Sequence, residues 1–294
     1  MSLAGRCHSK FSNKPGSQGS TNIPVSSVKP SPELFDGQAQ VFDQRAGLPP
    51  EHCRHIAAAV LELGDVGAAE LIVEAGAGTG QIGAWLAASR RYLGFDLSKG
   101  MLQRFRARLG GLAPKHVLLR ADANRGWPLA SGAARAIFGS RALHLLDHEH
   151  VADEVFRVAT PTGATLIIGR VERAHESVRA RMAGEMRGLL RRHGVEARGD
   201  QQDRRLIEAC VRRGAVMLEP VTAATWPVTA SARQSLDAWR QNPGLGGVDV
   251  PDETRQAVLD ELEAWAAEVF GGLDQPCESQ EAYVLKPLRL WAAE

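Results

Sequence analysis

Three glycines at alternate positions, Gly76, Gly78 and Gly80, follow an acidic residue, Glu74, which closes the apolar run Leu71-Ile72-Val73. A short β-branched run that ends in an acid and then in glycines has the pattern of a buried strand entering a tight turn. Gln81 to Ala88 then shows helical spacing and good helix formers. Strand, glycine turn and helix form the first unit of a nucleotide-binding α/β fold. Glycines there bring backbone close beneath a ligand where a Cβ would collide. Two ligand classes use such a turn. Gly78, Gly80 and Gly83 match the spacing of a dinucleotide site, with Asp96 in range of a ribose. A sulfonium nucleoside, with hydroxyl and ammonium donors and no pyrophosphate, calls instead for carboxylates and carbonyls. No Gly-Lys-Ser/Thr follows the turn, which excludes a P-loop.

The elements that must position these groups alternate along residues 71–169. Arg91 to Phe95 reads as a second strand ending at Asp96, and Ser98 is placed to cap a helix from Met101 to Leu109. Val117-Leu118-Leu119 precedes Asp122, and Ala136-Ile137-Phe138 precedes Gly139-Ser140. A helix over about 146–159 stops at Thr160-Pro161-Thr162-Gly163, and Ala164 to Gly169 is a fifth strand. Beyond it, residues 171–213 read as helical and Arg-rich, 215–219 and 282–290 as strands, and 234–240 and 253–270 as helices. Short apolar strands alternating with helices imply a parallel sheet covered on both faces, with ligands at its C-terminal edge.

Five segments in unbroken order resemble the motifs of class I S-adenosylmethionine-dependent methyltransferases. Glu74-Ala75-Gly76-Ala77-Gly78-Thr79-Gly80 is similar to the first motif, Gly94-Phe95-Asp96-Leu97-Ser98 to the second and Arg120-Ala121-Asp122-Ala123 to the third. Trp127-Pro128-Leu129 and Ser140 to His144 resemble the segments flanking strand four, and Arg157 to Gly163 the turn before strand five. The likeness covers roughly residues 40–170 and is closest to the small-molecule, quinone-methyltransferase-like branch. It implies an α/β, Rossmann-like, doubly wound, seven-stranded, mostly parallel sheet with helices on both faces and a helical cap. It implies S-adenosylmethionine as cofactor, held by the turn residues 74–80, by Asp96 on the ribose hydroxyls with Leu97 and Met101 beside it, by Asp122 and Ala123 near the adenine, and by Ser140. Phe42 stands where relatives carry a lid, near Phe35, Asp43 and Arg45. One departure is Ala134-Arg135, where relatives often carry Phe-Asp; it is expected to alter a surface or turn contact.

Methyl transfer from a sulfonium has a good leaving group, so positioning can supply much of the acceleration. A base is needed only for a poor nucleophile. His144, just beyond strand four, is the candidate base and Arg141 a candidate anchor for an acidic substrate group. His144, His148 and His150 with Asp147 and Glu149 raise a metal reading, but a polar helix start is the simpler account and no metal is expected. Seven acids interleave the Arg-rich stretch (172, 176, 185, 196, 200, 203, 208), which favours a solvated helical face over nucleic-acid binding.

Composition narrows the rest. Against 35 basic residues stand 34 acidic ones, a formal charge of +1 that gives no general attraction to nucleic acid or anionic membrane. The four cysteines are scattered with no Cys-x-x-Cys pair, consistent with free thiols and a cytoplasmic protein. No apolar run approaches the roughly 18 residues of a membrane span. Residues 1–32, rich in Ser, Asn, Gly and Pro and without acids, read as a disordered tail, with an organelle transit peptide as the alternative that the acid-poor, Ser-containing start also suits. A single domain is expected over 33–294, with the cofactor-binding core at 33–170 and helical cap insertions at 171–213 and 222–280. An NAD(P)-dependent oxidoreductase and a non-catalytic methyltransferase-fold binding protein are the alternatives. Neither the acceptor nor the oligomeric state follows from these patterns.

Overall fold

The structure, a computed structural model, describes residues 36, 39, 42–43, 47–111, 116–140, 142–143, 146–197, 202–241 and 244–290. The expected tail at 1–32 lies outside them, as do Phe35, Arg45, Arg141 and His144. Helix α1 (Pro50–Leu63) leads into alternating units: β1 (Leu71–Ala75), α2 (Gly83–Ser89), β2 (Arg91–Asp96), α3 (Lys99–Leu109), β3 (His116–Arg120), β4 (Ala136–Ser140), α4 (His148–Val158) and β5 (Ala164–Arg173). There follow α5 (Val178–Arg192), α6 (Gln202–Arg212), β6 (Val216–Met217), β7 (Val221–Ala230), α7 (Ala232–Gln241), α8 (Asp252–Val269) and β8 (Cys277–Leu290).

These strands form one sheet in the order β3-β2-β1-β4-β5-β8-β6, with β7 also paired to β8. The first five are parallel to their neighbours, while β8 runs antiparallel to β5, and β6 and β7 antiparallel to β8. The fold is the expected Rossmann-like, mostly parallel α/β sheet with helices on both faces. Its strand count differs: eight, where seven were expected. The extra strand, β7, overlaps 222–280, a segment expected from sequence to be helical cap. Pro227 sits in the middle of β7, and β8 is the strand it pairs with. An edge position tolerates a residue with no N–H to donate.

Both faces of the sheet are buried. On one, Ile56 of α1, Leu86 of α2 and Phe105 of α3 pack on Ile72, Phe138 and Ile167. On the other, Val151 and Val155 of α4 share a core with Val73, Ile137 and Ile168. Leu206, Ala209 and Cys210 of α6 belong to that second core. Residues 202–212, expected in the cap, therefore flank the sheet instead. An amphipathic stripe shows that one helix face is buried, not what it is buried against.

A third core is separate from the sheet. Met182, Met186 and Leu189 of α5, Leu236 of α7, and Leu259 and Leu262 of α8 pack on one another. These helices leave the sheet together. β5 runs past Gly169, the partner of Ser140, to Arg173, where it pairs with Glu281 of β8. β7 ends at Ala230 opposite Cys277, where β8 begins. The three-helix cluster thus grows from the C-terminal edge of the parallel strands, the edge at which the glycine turn opens. Among the described residues, no helix is long and apolar enough to cross a membrane.

Candidate active site

The turn after β1 is fixed by the strand beside it. The backbone N–H groups of Gly76 and Ala77 both donate to the Phe95 carbonyl, at 2.9 and 3.0 Å. A Cβ on Gly76 would overlap that of Ala142, and one on Gly80 would enter the Phe105 ring. A Cβ on Gly78 would meet nothing nearer than the Gly76 carbonyl at 4.0 Å. Of the clearance expected from three glycines, Gly78 alone faces open space; Gly76 and Gly80 are required by the protein's own packing. Gly83 has the same task at the start of α2, where a Cβ would lie 2.6 Å from the Tyr92 hydroxyl.

Polar groups then stand at the ends of successive strands. Glu74 is buried and accepts the Tyr92 hydroxyl at 2.5 Å. Burial and the Glu74 carboxylate push the Tyr92 phenol well above its ordinary pKa. Asp96 accepts Gly78 N–H at Oδ2 and Ser98 N–H at Oδ1, each at 2.9 Å. Burial raises the Asp96 pKa and the nearby Asp36 charge adds to this, while the backbone donors Ser98, Gly78 and Leu97 oppose it. Ser98 caps α3 as expected, accepting Met101 N–H. Asp122 takes Asn124 N–H at 2.9 Å, a local turn that presents the carboxylate after β3. That turn rests on Trp127, whose indole donates to the Ala123 carbonyl and lies 5.3 Å from the Phe95 ring. Glu154 holds Trp127 N–H and the Arg157 guanidinium, joining the segments at 127–129 and 157–163. At the end of β4, the Ser140 hydroxyl meets that of Tyr283 at 2.5 Å. Arg135, at the departure before β4, bonds Asp65 and the Gly163 carbonyl, a turn contact away from the site.

One pocket gathers nearly all of these residues. Phe42, Glu74, Gly76, Ala77, Gly78, Thr79, Gly80, Asp96, Leu97, Met101, Asp122, Ala123 and Ser140 line it. Ala75 does not: it is fully buried in the core beneath the turn. Gln81, Ile82, Asn124, Ala142 and Leu146 also line it and are not among the residues expected from sequence. Asn124 and Gln81 adjoin motif residues, a signal available in sequence; Leu146 is brought in by the turn before α4. Phe42 is held in place through its neighbour. Asp43 accepts the Thr79 hydroxyl at 2.6 Å and the Arg108 guanidinium at 2.5 Å. Asp36 accepts the Ser98 hydroxyl and Gly100 N–H, which hold its carboxyl below the ordinary range.

The charge of the pocket separates the two ligand classes. Its described lining contains three carboxylates, Glu74, Asp96 and Asp122, and no Lys, Arg or His. A pyrophosphate would have only the backbone N–H groups of the turn and of the α2 N-terminus among the described lining, with carboxylates beside it, whereas a sulfonium and an ammonium suit those carboxylates.

Residues 72–163 match a family described as a methyltransferase domain. The sequence finds no match among curated proteins. Solved structures share the fold at low identity. A protein from Bacillus halodurans C-125, assigned as a methyltransferase, is 16% identical with a TM-score of 0.54, over 79% of this chain and 97% of that one. The [4+2]-cyclase SpnF is 16% identical with a TM-score of 0.55, over 92% and 99% of the two chains. The strand order is that of the class I methyltransferase fold, and its first part, residues 72–163, is the stretch that matches a methyltransferase domain.

Proposed function

We propose that this protein is an S-adenosylmethionine-dependent enzyme that transfers a methyl group to a small-molecule acceptor by in-line displacement. The pocket's three carboxylates, with no cation among its described lining residues, are the observation that carries the reading. S-adenosylmethionine brings a methyl group on a sulfonium, an electrophile with a built-in leaving group. The protein's part is to hold and orient it. Asp96, with each oxygen already bonded to one backbone N–H, keeps lone pairs for two ribose hydroxyls. Asp122 and Ala123 stand at the adenine end, Glu74 and Gly78 under the amino-acid end, and Phe42 covers the pocket from the amino-terminal side. Charged hydrogen bonds of this kind contribute about 1.5–3 kcal/mol each.

The acceptor is drawn from small molecules, with the quinone-like substrates of the resembling branch as the first set to try. Helices α5, α7 and α8 provide the cap under which it would lie, since they leave the sheet at the same edge as the pocket. The dinucleotide reading keeps one observation in its favour, the Gly78, Gly80 and Gly83 spacing, and the pocket's charge opposes it. The test is incubation with cell extract and S-adenosylmethionine labelled in the methyl group, followed by mass spectrometry. A labelled small molecule is the expected product. Label confined to macromolecules, or cofactor binding with no transfer, would contradict the proposal.

A further inference from the structure

Tyr283 is fully buried, belongs to β8 and does not line the pocket, yet its hydroxyl reaches the pocket wall. It can do so because Gly169 of β5 has no side chain: a Cβ there would lie 2.9 Å from two atoms of the Tyr283 ring. Gly169 pairs with Ser140 in the next strand. The phenol therefore passes over Gly169 to Ser140 Oγ.

Ser140 closes one end of a row. Asp122 follows β3, Asp96 ends β2, Glu74 stands near the end of β1 with the glycine turn after it, and Ser140 ends β4, in the sheet order β3-β2-β1-β4. Strands lie about 4.8 Å apart, so the row spans about 14 Å, on the order of an extended nucleoside with its amino-acid tail. With ribose at Asp96 and adenine toward Asp122, the amino-acid tail runs toward Ser140. Its α-carboxylate needs hydrogen-bond donors, and no described lining residue is cationic. Thr79 and Ser140 are the lining hydroxyls. Thr79 gives its proton to Asp43, a carboxylate that can only accept.

Resting on the methyltransferase reading, we propose that Tyr283 is a positioning residue: its phenol donates to Ser140 Oγ and turns the Ser140 proton onto the cofactor's α-carboxylate. A phenol is a stronger donor than an aliphatic hydroxyl, and a donor chain of two hydroxyls polarises its outer member. Tyr283 does not line the pocket, so its effect on the cofactor passes through Ser140.

Calorimetry with two probes tests this, using S-adenosylhomocysteine and 5′-methylthioadenosine, the same nucleoside without the amino-acid end. Tyr283→Phe is expected to weaken S-adenosylhomocysteine binding about three- to tenfold, as loss of one hydrogen bond would. Its affinity for 5′-methylthioadenosine should be unchanged. Ser140→Ala should give the same split, and the double variant should be no weaker than Ser140→Ala, because the two act as one unit. Equal loss for both probes would show a merely structural role and overturn the proposal. So would unchanged S-adenosylhomocysteine affinity in Tyr283→Phe when the unaltered protein binds both probes. An unaltered protein that binds neither probe would remove the cofactor reading, and the proposal with it.

Discussion

The two ends of the sheet are built by different rules. On the β3-β2-β1-β4 side the strands are short, five or six residues, and each delivers a polar group to one shared edge. On the β5-β8-β7 side they run to ten and fourteen residues, overshoot that edge and carry three helices with a core of their own. In the first region each backbone turn is set by a neighbour a few ångströms away. In the second, pairings such as Arg173 with Glu281 join residues far apart in sequence. The contrast is between a pocket with little tolerance in its backbone and a three-helix cluster with a core of its own, which we propose can be altered while the pocket stands.

The largest expected effect breaks the comparison at its tightest point. Gly80→Ala puts a Cβ into the Phe105 ring at a residue with positive φ, so overpacking and left-handed strain combine to about 3 kcal/mol or more. Gly271→Ala, after α8, has the same backbone strain with no atom within 4 Å of the added Cβ and should cost about 1 kcal/mol. Thermal denaturation of the two variants measures the contrast; equal losses would erase it.

Next in size is the cap's own core. Leu259→Ala removes a fully buried side chain from the three-helix cluster, a change that typically costs about 2–5 kcal/mol. Hydrogen exchange should then show α5, α7 and α8 opening while β1, β2 and β4 keep their protection. Affinity for S-adenosylhomocysteine should hold within about twofold, a difference of about 0.4 kcal/mol. Loss of protection across both regions together would mean that they unfold as one unit.

Asp96 sharpens the comparison from the pocket side. Asp96→Ala should weaken S-adenosylhomocysteine at least about tenfold, through loss of charged hydrogen bonds to the ribose. The same carboxyl is raised above its unfolded pKa by burial, so its ionised form is the one that folding disfavours. Its stability contribution is greatest at low pH and declines as pH rises from the unfolded value through the folded one. Asp96→Asn should therefore melt higher than the unaltered protein at pH 7, with the gain shrinking as pH falls through the carboxylate range. A variant that melts lower at pH 7 would show that the ionised carboxylate stabilises the apo fold through Gly78 and Ser98.

The same contrast explains what was legible in the sequence. Glu74, the glycines, Asp96 and Asp122 each sit where a strand meets a turn, and a short-range pattern carries that information. The Ser98 cap and the stop of α3 after Leu109 were readable for the same reason. Which atoms need the glycines was not: Gly76 yields to Ala142 and Gly80 to Phe105, contacts that only the fold creates. β7 was hidden because Val-Thr-Ala-Ala-Thr-Trp-Pro-Val-Thr-Ala has a proline and no clean alternation. Helix α6 carried an amphipathic stripe whose partner, the sheet rather than the cap, is a tertiary fact. Tyr283 had no signal at all, since its place depends on Gly169 and Ser140 in two other strands.

The central claim is that the acidic pocket beneath Gly78 takes a sulfonium nucleoside and not a dinucleotide. Calorimetric titration of the full chain with S-adenosylhomocysteine and, separately, with NADH measures this directly. Saturable binding of S-adenosylhomocysteine at one site per chain, with no heat from NADH, is the predicted result; NADH binding without S-adenosylhomocysteine binding would contradict it.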